Sequence, residues 1–128
     1  MSVGVLLGAA AAAGLASAEA PHGDPVRGER VFQRCYACHS VDPKETARLQ
    51  GPTLYRVIGR GAGAVDGFEY SEALRKLAAA RLVWSPAALD AYLADPDDFA
   101  PGTSMSMPPL REPGDRADVI AYLRRADR

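Results

Sequence analysis

Net charge, lysine and cysteine are all scarce in this sequence of 128 residues. Its 15 basic and 16 acidic side chains give a formal charge of −1, and its only lysines are Lys44 and Lys76. It therefore lacks the strongly basic balance that is typical of nucleic-acid-binding proteins. There is no strand pattern and no internal repeat, and the length suits one domain. The only two cysteines, Cys35 and Cys38, lie close together.

The first twenty residues are small and apolar, and they end in Ala16-Ser17-Ala18, a pattern that a signal peptidase recognises. They contain no Lys or Arg, although a secretory leader usually begins with positive charge. A membrane anchor is the alternative, but Val3–Ala18 is shorter than the roughly 20 residues that a spanning helix needs. The sequence predicts a signal peptide over residues 1–20, a mature domain over residues 21–128 and a periplasmic location.

Signals for helix starts recur along the rest of the chain. Asp24-Pro25, Ser71 and Ser85-Pro86 each predict the beginning of a helix, and the last helix is expected near Gly114-Asp115. Glycine and proline recur between residues 41 and 67, which predicts loops. The fold class predicted is all-α, with three to four short helices. Loops longer than about 12 to 15 residues are uncommon in compact domains, so a large bound group is expected to organise them.

The stretch Cys35-Tyr36-Ala37-Cys38-His39 concentrates two thiols and an imidazole. A disulfide here would close so small a loop that it would add little stability. A thioredoxin-type pair belongs in a βαβ setting, and a structural zinc would need a fourth ligand, for which His22 is the only other histidine. Covalent haem attachment uses this spacing, because each thiol adds to one haem vinyl group while the adjacent histidine binds the iron. The stretch therefore predicts a haem.

The iron of such a haem needs a sixth ligand or an open position. The candidates are His22, Met105 and Met107. Both methionines lie in a loop dense in proline and glycine, although filling of the core is the ordinary role of a methionine. A thioether ligand favours ferrous iron and raises the reduction potential, which suits an electron carrier, whereas an open position suits an enzyme or a sensor.

Five blocks of the sequence resemble class I c-type cytochromes, in the order in which that family carries them. They are GERVFQRCYACHSV, GPTLYRVIGRGAG, GFEYSEA, WSPAALDAYLADPDDFAPGTSM and DRADVIAYLRR, and they extend over about Gly28 to Arg125. The resemblance implies the class I cytochrome c fold, in which short helices and long loops wrap around one covalent haem.

The resemblance also implies roles for individual residues. Cys35 and Cys38 would form thioethers to a single haem c, and His39 would bind its iron on one side. Met105 would bind the iron on the other side, because it is the methionine of the family's Pro-Gly-Thr-x-Met motif. The carbonyl of Pro52 is expected to accept a hydrogen bond from the His39 ring, which fixes the tautomer of the imidazole.

Further side chains are expected to support the haem. By the same resemblance, Arg60, Tyr70 and Trp84 would surround a buried haem propionate, whose charge needs such donors. Tyr92 would donate its hydroxyl to the sulfur of Met105.

Met107 departs from the family pattern. It stands where the family usually has an aromatic residue, so a second thioether lies two residues from the first.

The first and last helices are expected to cross through Gly28, Phe32, Val119 and Tyr122, because glycine permits a close approach.

The function implied is that of a monomeric periplasmic carrier, which moves single electrons through a haem iron and catalyses no reaction of its own. Its partners would be redox proteins such as a quinol-cytochrome c oxidoreductase, a terminal oxidase of a respiratory chain or a reaction centre. No nucleic acid is expected as a partner. Contact with a membrane is expected only through these partners or through a retained anchor. The alternative is a haem-based enzyme or ligand sensor whose distal methionine can be displaced.

Overall fold

The computed structural model describes residues 22–128, so the predicted leader over residues 1–20 lies outside them. Five helical segments follow one another: α1 (Pro25–Phe32), α2 (Glu72–Ala79), α3 (Pro86–Ala94), α4 (Pro96–Phe99) and α5 (Pro113–Ala126). Within residues 22–128 there is no strand, and one isolated bridge pairs Gly61 with Val83. The all-α prediction is confirmed.

Three of the predicted helix starts are capped by the expected side chains. The Asp24 carboxylate accepts the backbone amides of Val26 and Arg27 at 2.8 and 3.0 Å. The hydroxyls of Ser71 and Ser85 accept amides in the first turns of α2 and α3, at 3.3 and 3.1 Å. These bonds satisfy amides that a helix start leaves without a partner inside the helix.

Two details differ from the predicted helices. The loop expected after α3 contains the single-turn helix α4, where the Asp95 carboxylate accepts the amide of Asp98 at 3.1 Å. Asp95-Pro96 repeats the Asp-Pro arrangement that begins α1, so the signal for this turn was present in the sequence. The α5 helix begins at Pro113, slightly earlier than expected, and its N-cap residue makes no side-chain capping bond.

The first and last helices cross in close contact at Gly28. A Cβ atom at this position would overlap the backbone carbonyl of Asp118, so only glycine allows the approach. Phe32 and Tyr122 are buried beside this contact, with ring centroids 5.1 Å apart, and Val119 is buried on the same helix as Tyr122. The predicted crossing is therefore confirmed.

A buried carboxylate reinforces the same crossing. Asp118 accepts the Nε and Nη2 groups of Arg27 at 2.9 and 3.2 Å, and it accepts the backbone amide of Asp24 at 2.7 Å. The hydrogen bond from Arg27 is the main reason why the pKa of Asp118 lies below its usual value. These bonds join the start of α1 to α5.

One apolar core holds the elements together. The core comprises Phe32, Val57, Ala62, Ala73, Trp84, Leu89, Tyr92, Ala100, Leu110, Val119, Ile120, Tyr122 and Leu123.

No helix within residues 22–128 is long and apolar enough to cross a membrane.

Candidate haem site

Both cysteines lie on the turn that directly follows α1. The amide of Cys35 donates to the carbonyl of Phe32 at 2.7 Å, and the amide of His39 donates to the carbonyl of Cys35 at 2.9 Å. Cys35 and Cys38 are free, half-buried thiols. Burial raises the pKa of the Cys35 thiol, which keeps it neutral against the apolar core that it touches. The turn therefore presents two thiols and the imidazole within one short segment.

The His39 ring is held in one orientation by a backbone carbonyl. Its Nδ1 lies 2.7 Å from the carbonyl oxygen of Pro52, so Nδ1 carries the proton and donates it. Burial is the main cause that lowers the pKa of His39, and the nearby charge of Arg60 acts in the same direction. A neutral imidazole with a protonated Nδ1 keeps the lone pair of Nε2 for a metal. The expected hydrogen bond to Pro52 is present.

Gly51 lies against the face of the same imidazole. A Cβ atom at this position would come within 2.6 Å of Nδ1 and 2.7 Å of Nε2 of His39. Real Cβ contacts of this length do not occur, so the ring has its place only because residue 51 has no side chain. Gly51 was not among the residues predicted for the site, although its position before Pro52 is visible in the sequence.

Arg60 is a half-buried cation whose bonds go to the backbone. Its guanidinium donates to the carbonyls of Thr53 and Tyr55 at 2.8 and 3.1 Å. Burial lowers the pKa of Arg60, and across residues 22–128 no ion pair connects it to a carboxylate. A half-buried positive charge in this state suits an anionic group such as a haem propionate.

Tyr70 and Trp84 lie in segments that the chain brings near Arg60. The amide of Trp84 donates to the carbonyl of Arg60 at 2.8 Å, which fixes the two residues side by side. The Tyr70 hydroxyl accepts the amide of Val65 at 3.1 Å, and Trp84 is buried. The expected role of all three at a propionate stays a prediction.

A tight turn precedes the two methionines. Pro101 and Gly102 occupy its centre, Gly102 has a φ of +83°, and the amide of Thr103 donates to the carbonyl of Ala100 at 2.9 Å. These features match a type II turn, in which glycine is favoured at the third position. Met105 follows two residues later and packs against the core.

The Tyr92 hydroxyl differs from the expectation. It lies 2.7 Å from the hydroxyl of Thr103, and no hydrogen bond joins it to the sulfur of Met105 in the described chain. The reason is the turn, which directs Thr103 toward the hydroxyl and gives it a stronger partner than a thioether. Tyr92 thus fixes the turn that precedes Met105, and its expected bond to the Met105 sulfur stays a prediction.

The zinc alternative finds no support in residues 22–128. No group of three or more His, Cys, Asp and Glu side chains in this range could hold a metal ion. His22 lies before α1, beside a cavity of about 290 Å³ that Ala121 and Arg124 also line. It is thus at the end of α1 that is remote from Cys35 and His39.

These residues fit a covalently bound haem. Two free thiols are available for the vinyl groups, one imidazole keeps a lone pair for the iron, and a half-buried cation is available for a propionate. Cys35, Cys38 and His39 would hold the group, and Met105 is the residue expected to supply the second iron ligand.

The sequence is similar to known proteins of one family. The family model described as Cytochrome c matches residues 25–127. The chain is similar to cytochrome c2 of Rhodomicrobium vannielii, with 46% identity over 101 residues, which cover 79% of this chain and 78% of that protein. It is similar to cytochrome c type-1 of Ascaris suum, with 44% identity over 106 residues, which cover 82% and 90%.

Solved structures with a similar fold point to the same family. Cytochrome cH from Methylobacterium extorquens has a TM-score of 0.71 and 40% identity, over 80% of this chain and 99% of that chain. Cytochrome c2 from Rhodospirillum centenum has a TM-score of 0.75 and 38% identity, over 83% and 100%.

Replacement of Gly51 by alanine tests the packing of the imidazole. In Gly51→Ala the new methyl group would push the His39 ring away from Pro52 and break their 2.7 Å hydrogen bond. Overpacking of this kind costs about 1–3 kcal/mol, so we expect a lower unfolding temperature of the haem-loaded protein in a circular dichroism melt.

Gly114→Ala is the matched control, since a Cβ atom at this helical position would meet nothing within 4 Å. We expect it to be neutral or slightly stabilising, because alanine favours helices. Equal melting temperatures for the two variants would contradict the role given to Gly51.

Proposed function

Because the chain belongs to the cytochrome c family, whose members are electron carriers with a covalently bound haem c, we propose that it is a periplasmic shuttle between redox proteins. The observation that carries the proposal is the turn after α1, where Cys35, Cys38 and His39 meet and Pro52 fixes the imidazole. We assign the two thioethers to the cysteines and the axial iron ligands to His39 and Met105.

The two axial residues have complementary effects. The carbonyl of Pro52 accepts the Nδ1 proton of His39, which makes the imidazole a better donor through Nε2. The thioether of Met105 is soft and neutral, so it favours the ferrous state and raises the potential. The bound haem supplies a one-electron couple between ferric and ferrous iron. His39 and Met105 would together hold the iron of this haem, so neither position would be left for a substrate.

Aromatic side chains close the interior of the site against water. Trp84 and Tyr92 are buried with ring centroids 5.2 Å apart, and Phe99 lies 5.8 Å from Tyr92 and 6.1 Å from Trp84. Tightly packed apolar groups reorient little when a charge changes, whereas water would reorient strongly. A site of this kind keeps the reorganisation energy of electron transfer small.

The proposed partners follow from this chemistry. An electron carrier without a substrate position needs a donor and an acceptor, and a quinol-cytochrome c oxidoreductase, a terminal oxidase and a reaction centre are the classes that fit.

The location follows from the leader proposed over residues 1–20, with cleavage after Ala18 or Ala20. N-terminal sequencing of the protein purified from the periplasm should then begin at Glu19 or Pro21. A chain that still starts at Met1 would contradict the cleaved leader.

The function is tested on the full protein matured in a host with haem-attachment machinery. We expect a low-spin ferric spectrum with the weak red band of an iron–thioether bond, and a reversible potentiometric titration with one electron per chain. The ferrous protein should not bind carbon monoxide readily at neutral pH, because Met105 fills the distal position.

A high-spin ferric spectrum, or rapid carbon monoxide binding, would contradict the proposal. The distal position would then be open, and the protein would have the properties of a haem enzyme or a ligand sensor.

A further inference from the structure

We propose that Met107 is a second thioether ligand for the haem iron, which exchanges with Met105 in a minor population of the native protein. The inference rests on the proposed function, since it requires a haem whose distal position is filled by methionine. It goes further by assigning a metal-binding role to a residue that the haem site does not otherwise use.

The first observation is the alternation of exposure along the distal loop. Thr103, Met105, Met107 and Pro109 are half-buried, whereas the residues between them are exposed. A period of two means an extended backbone, in which alternate side chains point to the same side. Both thioethers therefore face the interior, and both pack against the same core.

The second observation is the way in which the loop is held. At one end Thr103 is fixed by the hydroxyl of Tyr92, and at the other the amide of Leu110 donates to the carbonyl of Leu93 at 3.0 Å. Arg116 adds a bond to the carbonyl of Leu110 at 2.7 Å. Between these anchors, no backbone–backbone hydrogen bond holds residues 104–109 in the described chain, and the amide of Met105 makes only a long bond of 3.4 Å to the Thr103 hydroxyl.

This arrangement permits a shift of the segment without the loss of secondary structure. Two residues of extended chain span about 6.6 Å, which is the displacement that separates equivalent positions of the two side chains. Methionine has three rotatable bonds, so its side chain can take up part of that distance. An extended chain has little slack between fixed ends, so the rest of the shift requires the bond from Leu110 to the carbonyl of Leu93 to open in the minor form.

The exchange is balanced in atoms and charge. The iron–sulfur bond to Met105 would break as the bond to Met107 formed, no proton or electron would be transferred, and both side chains are neutral thioethers. The other side chains of residues 104–109 are serines and prolines, which are poor ligands for haem iron. Within this loop, Met107 is therefore the residue suited to replace a displaced Met105.

Three variants of the haem-loaded protein test the inference: Met105→Leu, Met107→Leu and the double variant. Leucine keeps the apolar volume of methionine and removes only the sulfur. We expect Met105→Leu to retain a low-spin ferric spectrum with the red thioether band, and the double variant to lose both. Carbon monoxide should bind to ferrous Met105→Leu at least tenfold more slowly than to the double variant.

A second measurement does not depend on the folding of Met105→Leu. In wild-type ferric protein, saturation-transfer NMR on the axial methionine methyl group should reveal exchange with a minor second methyl signal, which Met107→Leu abolishes. If folded Met105→Leu has the same spectrum as the double variant, the inference is wrong. It is also wrong if the wild-type protein shows no such exchange. A wild-type protein that lacks the thioether band would instead overturn the proposed function itself.

Discussion

The close contact between α1 and α5 at Gly28 is the constraint on which the rest of the structure depends. A helix of eight residues is marginal in water, so α1 owes its stability to packing against α5 rather than to its own hydrogen bonds. The contact needs a glycine, and the bonds from Arg27 and Asp24 to Asp118 reinforce it. Because α1 leads directly into the turn with Cys35, this crossing also places the thiols.

The two sides of the candidate site are held in different ways. On the side of His39, a short turn, a hydrogen bond to Pro52 and the bare backbone of Gly51 leave the imidazole one position. On the side of Met105, hydrogen bonds fix the ends of a loop, and residues 104–109 between them make no backbone–backbone hydrogen bond in the described chain. Because the proposed ligand His39 is held rigidly and the proposed ligand Met105 is held less tightly, we expect variation in ligation only at the methionine side.

Short sequence patterns predicted the features that depend only on residues close together in the chain. The capped start at Asp24 and the spacing of the Cys/His cluster depend on neighbouring residues, and both were readable. The bond from His39 to Pro52 was expected only through the family resemblance. The partner of Tyr92 could not be predicted, because it depends on where a distant turn places Thr103. The steric role of Gly51 likewise becomes visible only when the imidazole stands over it.

The central claim is that one haem is covalently bound at Cys35 and Cys38, and mass spectrometry tests it most directly. The protein matured in a host with haem-attachment machinery should carry the added mass of one haem after acid–acetone extraction, on the proteolytic peptide that contains both cysteines and His39. Extraction of the haem into the solvent, with an unmodified or disulfide-linked peptide left behind, would contradict the account.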